Sequence, residues 1–145
     1  MDEKPALVPD ELVYLLTTDH IGHVGAIRAD GSLAAYLMWI DWDGEHVLTS
    51  SPVGSRKGRN WRANPQISVS VVDHDDDWRF LTIRGRVTDI HPDVGLEFID
   101  RMSRRYLGSL YRRRDFEREI FVTTVDHVVA GRGGWAPRRD QRPPR

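Results

Sequence analysis

Apolar positions in this chain follow two periods. Residues 21–28, 33–42 and 46–50 alternate apolar with polar or small side chains, and Asp30-Gly31 and Asp43-Gly44 separate them. Period-two runs joined by such dipeptides are hairpins, so the three runs make a meander. Residues 67–72 and 80–90 form a further pair around Asp73-His74-Asp75-Asp76-Asp77, and 120–130 is a last strand carrying Phe121, Val122, Val125, Val128 and Val129. Helical spacing occurs in three places. Leu12, Leu15 and Leu16 follow the start signal Pro9-Asp10-Glu11; 56–63 is a short helix that Pro65 prevents from continuing; Pro92-Asp93 opens a helix striped by Val94, Phe98, Ile99, Met102 and Tyr106. Six strands joined mostly by hairpins, with one helix after the third and another after the fifth, predict a mainly β fold, a six-stranded antiparallel barrel. No internal repeat is visible.

Length and composition narrow the picture. At 145 residues and 39% hydrophobic the chain suits one domain, read as 1–131, followed by a basic Pro/Arg-rich tail, 132–145, expected to be flexible. The absence of cysteine excludes disulfide scaffolds, thiolate catalysis and cysteine-held metals. A net charge of -1 argues against general nucleic-acid binding, and no run reaches the roughly 18 apolar residues of a membrane helix. With no apolar signal core after Met1, a cytoplasmic protein is expected.

The chemistry concentrates in Ser55-Arg56-Lys57-Gly58-Arg59-Asn60, directly after a strand and its loop. Of the chain's 21 Lys and Arg residues only Lys4 and Lys57 are lysines, which makes a lysine at this position a chemical choice rather than a compositional one. Ser55 is a good N-cap, the first turn offers free N–H groups, arginine grips two phosphate oxygens and lysine adds a compact charge. This block is expected to bind phosphate, with Gly58 allowing close backbone approach. Other polar groups read more plainly. The Asp-rich loop lacks the spacing and terminal glutamate of an EF-hand and reads as a solvated hairpin loop. Arg112-Arg113-Arg114 reads as a solvated charge run. His20, His23, His46, His74, His91 and His127 show no ligand spacing, and no metal site is expected. Trp39, Trp42 and Tyr36 read as core or interface, with an aromatic wall for a planar ring as the alternative.

Ile21-Gly22, Asp30-Gly31, Thr49-Ser50, Ser55-Arg56-Lys57-Gly58 with Asn60 and Asn64-Pro65, and Ile83-Arg84-Gly85 together resemble the pyridoxamine-phosphate-oxidase-like split-barrel flavoproteins, and most of all their branch that uses the deazaflavin coenzyme F420. The resemblance spans about 12–90 and is most specific in the helix block. It implies a split barrel, a homodimer with the cofactor between subunits, and cofactor phosphate held by Arg56 and Lys57. It also implies cofactor contacts from Ser55 and Asn60, from Leu48, Thr49 and Ser50, from Leu33, Ala34, Ala35, Tyr36, Leu37 and Met38 chiefly through their backbone, and from Trp78, which would serve the partner's site. Two departures separate the chain from true pyridoxamine phosphate oxidases. Phe80 stands where those enzymes place a glutamine on FMN, and Trp135-Ala136-Pro137-Arg138 only echoes their substrate-recognition segment. Arginine favoured so heavily over lysine fits the high-GC genomes in which F420 is typical.

The residues and the resemblance together point to an F420-dependent oxidoreductase that moves a hydride to a small planar electron-poor acceptor. The alternatives are an FMN-dependent oxidoreductase and a non-catalytic cofactor- or haem-binding protein. The cofactor carries the redox chemistry, so no catalytic acid or base is expected.

Overall fold

The computed structural model describes residues 7–134 and 139–144. Seven strands form one antiparallel sheet: β1 (Gly22–Ile27), β2 (Leu33–Met38), β3 (Asp41–Trp42), β4 (His46–Pro52), β5 (Gln66–Val72), β6 (Arg79–Pro92) and β7 (Arg118–Arg132), in the order β2-β1-β5-β6-β7-β4-β3. The edge strands β2 and β3 are joined by only Trp39 and Ile40, so the sheet must curl until its two edges adjoin. It closes around a core drawn from Val24, Ala34, Val47, Val69, Ile83 and Phe121, among others.

The strand expected over 33–42 is in fact two, which makes seven strands rather than six. Trp39 and Ile40 leave the ladder because the chain must pass from pairing with β1 to pairing with β4. Ile40 is fully buried, and its carbonyl accepts from Arg105 Nη1 at 3.0 Å.

The first helical segment is a 3-10 turn, Asp10–Leu12, followed by the single turn α1 (Tyr14–Thr17). Leu12, Leu15 and Leu16 plug the barrel with no exposure; burying each contributes about 1.5–3 kcal/mol. Helix α2 (Arg56–Ala63) has Ser55 as N-cap, its Oγ accepting from Gly58 N at 3.2 Å. Trp61 anchors α2 in the core, its ring edge-on to Phe121 of β7.

Helix α3 (Glu97–Leu107) begins later than the sequence pattern suggests. Gly95 and Leu96 adopt left-handed backbone, φ 65° and 57°, which breaks the helix before Glu97 and leaves Val94, expected in the apolar stripe, 77% exposed. Asp93 still serves as the helix start, accepting from Phe98 N at 2.8 Å and Ile99 N at 3.0 Å. Phe98, Ile99 and Met102 bury a second, smaller cluster with Ile120, and Arg101 and Arg105 clamp α3 to the buried Asp41 at 2.8 and 2.9 Å.

The 73–77 loop is more built than a solvated hairpin. Asp73 accepts from the Tyr14 hydroxyl and from the backbone of Asp75 and Asp76, and Asp76 is buried. The tail segment carries a 3-10 turn, Arg139–Gln141, and Arg142 pairs with Asp77 at 3.2 Å. Trp135, Ala136, Pro137 and Arg138 lie outside the described residues. No helix among the described residues is long and apolar enough to cross a membrane.

Candidate functional site

The N-terminus of α2 opens onto a cleft of about 270 Å³ between the sheet and α3. Its lining includes Leu37 and Met38 from β2, Trp39, Ser50 from β4, Lys57 from α2, and Arg118 from β7. Strand order explains the convergence. Ser50 and Pro52 of β4 pair with Ile120 and Arg118 of β7, which places the arginine beside the loop that feeds α2.

Two cations meet in this cleft. The Lys57 ammonium lies 5.0 Å from the centroid of the Tyr36 ring, and the Tyr36 hydroxyl accepts from Asn60 Nδ2 at 3.0 Å. Arg118 is 8% exposed; its Nε donates to Ser50 Oγ at 3.2 Å and its guanidinium lies 5.1 Å from the Tyr111 ring. Neither cation forms an ion pair with a carboxylate of the described residues. Burial, and after it the charge of Arg118, pushes the Lys57 pKa below the usual lysine value. Burial also lowers that of Arg118, against the opposing charges of Tyr111 and Asp93. A half-buried and a buried cation without carboxylates form a site of excess positive charge, to which the free N–H groups of Arg56 and Lys57 at the head of α2 add. This donor set fits a phosphate, an anion able to compensate both side chains at once.

The remaining wall is aromatic and apolar. Trp39 stacks on Tyr106, centroids 5.4 Å apart and planes 5° from parallel, with Tyr111 edge-on at 6.2 Å. Phe98, Ile99 and Met102 complete it.

The residues expected to contact a cofactor divide by strand face. Ser50, Leu37, Met38 and Lys57 line the cleft; Tyr36 and Asn60 brace Lys57, and Ser55 caps the helix. Arg56 is exposed beside the opening. Thr49 points instead into the barrel with no exposure, and Leu48 packs against the α3 cluster. Leu33, Ala34 and Ala35 border a different hollow, about 810 Å³, at the other end of β2, with Ala34 itself in the core. Trp78 sits at the far end of the molecule, its carbonyl accepting from Gly133 N just past the end of β7, the strand that Arg118 begins. Gly58 packs α2 on β7 rather than admitting a ligand: a Cβ there would lie 2.8 Å from Glu119 Oε1 and 2.9 Å from Arg62 Nη1. The arginine run stays outside the cleft, with Arg114 paired to Asp100 at 2.8 Å. Another groove, about 770 Å³, lies at the other side of Arg118 and contains neither Lys57 nor Ser50.

Sequence reasoning missed Arg118, Tyr111 and the inner face of α3. The signal for Arg118 is weak, since Arg118 to Phe121 are all buried and show no alternation.

The family model for pyridoxamine 5'-phosphate oxidase matches residues 8–130. The chain belongs to this family. Its members are flavin- or deazaflavin-binding oxidoreductases. Among solved structures, an F420 reductase is 34% identical, covering 84% of this chain and 98% of that one, with a TM-score of 0.77. A putative pyridoxamine 5'-phosphate oxidase from Listeria innocua is 18% identical over 83% of this chain and 95% of its own, TM-score 0.62. HupZ from Group A Streptococcus is 15% identical over 90% and 99%, TM-score 0.62. The last two likenesses concern the fold alone. No curated protein matches the chain.

Proposed function

We propose that the protein is an F420-dependent oxidoreductase that reduces a small planar electron-poor acceptor. The observation that supports this best is the pair of carboxylate-free cations, Lys57 and Arg118, in a chain 34% identical to an F420 reductase. Lys57, Arg118 and the first-turn amides of α2 would hold the cofactor's phosphate. When bound, the reduced deazaflavin supplies the hydride.

The chain's own residues position and shield. Tyr36, held by Asn60, limits where the Lys57 ammonium can lie. Trp39, fixed between Tyr106 and Tyr111, offers a rigid flat surface against which a planar ring can pack. Phe98, Ile99 and Met102 exclude water from that side. Oxidation of pyridoxamine phosphate is not part of this reading, because the Phe80 side chain has no hydrogen-bonding group to offer a flavin.

A second copy of the chain completes the site in this proposal. A cleft of about 270 Å³ is at the small end of the roughly 300–1,000 Å³ of ligand pockets, too little for cofactor and acceptor together. Leu37, on its lining, is 71% exposed.

The test is a titration of cofactor-stripped protein with F420 and with FMN under one set of conditions, followed by tryptophan quenching. Tighter binding of F420 is expected. Tighter binding of FMN would place the protein among the flavin enzymes. Saturation by neither, with a Soret band on adding haem, would make it a haem binder.

A further inference from the structure

Away from the cofactor cleft, the turn before β1 and the loop between β5 and β6 meet at two imidazoles. His20 is 7% exposed and His74 is exposed; their rings stack with centroids 4.2 Å apart and planes 28° from parallel. One ring nitrogen of each and a carboxylate oxygen of Asp19 lie within 4.8 Å of one another. The hydride chemistry proposed above uses none of the three.

The hydrogen bonds around the pair fix where its protons are. Thr18 Oγ1 donates its single proton to the Tyr14 carbonyl at 2.6 Å, so toward His20 Nδ1, 2.9 Å away, it accepts. Neutral His20 therefore carries its proton on Nδ1 and leaves Nε2 bare. His74 Nε2 lies 2.9 Å from the backbone carbonyl of Asp19, which only accepts, so the proton of neutral His74 is on Nε2 and Nδ1 is bare. Histidines that ligate a metal have this arrangement, with the second N–H held on an oxygen and the ring orientation set by that bond. Asp73 and Asp75 add negative charge facing His20.

We propose that Asp19, His20 and His74 bind one divalent transition ion of the zinc class and thereby tie the β5–β6 loop to the start of β1. Two imidazoles and one carboxylate favour Zn²⁺, Co²⁺ or Ni²⁺ over Mg²⁺ and Ca²⁺, which take all-oxygen shells. Three protein donors leave a coordination position for water. Bonds of about 2.0–2.1 Å at a tetrahedral ion put donors about 3.3 Å apart and in the plane of each ring, so loading draws the donors together and turns the exposed His74 ring out of its stack on His20. The two exposed residues, Asp19 and His74, are the ones on surface turns able to move.

The test uses tag-free full-length protein, treated with chelator and dialysed, titrated with zinc chloride by calorimetry and with cobalt chloride by visible absorption. One zinc per chain and cobalt bands of a low-coordinate nitrogen-ligated ion are expected. His74→Ala should abolish saturable binding. Thr18→Val, which removes the oxygen that orients His20, should weaken binding roughly 10- to 100-fold. Both changes are at exposed positions, and melting curves confirm that each variant folds. Absence of saturable zinc uptake, or equal affinity in wild type and His74→Ala, would overturn the site. Zinc should also slow amide exchange across 73–78 in the wild type; unchanged exchange with zinc bound would overturn the clamp.

Discussion

Lys57 illustrates how a half-buried cation works against the fold that holds it. Its pKa in the folded protein lies below the ordinary lysine value of 10.5, so burial penalises its charged form. Below the depressed value both folded and unfolded chains are charged, and the whole cost is present. Between the depressed value and 10.5 the unfolded chain binds more protons, so stability rises with pH and the cost is relieved. Lys57→Met is therefore expected to raise the melting temperature at pH 7 and to flatten the climb in melting temperature toward pH 10. The same variant should weaken cofactor binding by about 1.5–3 kcal/mol, read by titration, because a charge-assisted contact is lost. Arg118→Met should weaken binding similarly. The double variant should lose less than the sum of the two, since both cations serve one anion; strict additivity would show that they do not share it. Lys57 was legible in the sequence because its rarity and its place after Ser55 single it out. Arg118 was not, because its partner Ser50 is 68 residues away in the chain and only strand pairing brings them together.

At the level of elements, one position governs how β6 packs on β7 and another how α3 begins. Gly85 marks a register shift in β6, and a Cβ there would fall on the backbone carbonyl of Thr124, with Thr123 Cγ2 at 3.1 Å. Gly85→Ala is expected to cost on the order of 1–3 kcal/mol in chemical denaturation, since the obstacle is the backbone of β7 and not a flexible side chain. Asp93→Ala removes the acceptor for two amides of α3 and should cost about 0.5–2 kcal/mol. It should also lower cofactor affinity, because α3 carries Phe98, Ile99 and Met102. Turn dipeptides and Pro65 made the hairpins and the end of α2 readable locally. The late start of α3 and the break at Trp39-Ile40 were not, because each is imposed by packing: left-handed backbone at Leu96 in the first case, transfer between two ladders in the second.

For the whole molecule, the proposed dimer makes its own prediction. Leu37 and Val129 lie in one row across the outer face, through His23, Ser70 and Thr82, and are 71% and 49% exposed. Val129→Glu, remote from Lys57, should shift the protein from dimer to monomer in light scattering and reduce F420 affinity with it. A variant that stays dimeric would exclude this face as the interface. By itself the sequence determined the mainly β class, the order of hairpins and helices, and the Ser55-capped helix that carries Lys57, because each is written in neighbours a few residues apart through period, turn chemistry and capping. The tertiary structure alone decided which face each strand shows to the cleft, that Thr49 points inward while Ser50 points outward, and that Arg118 joins Lys57. It also decided that His20 meets His74 rather than His23, three residues away. These pairings depend on register and closure of the sheet, which bring together residues whose separation along the chain carries no local signal.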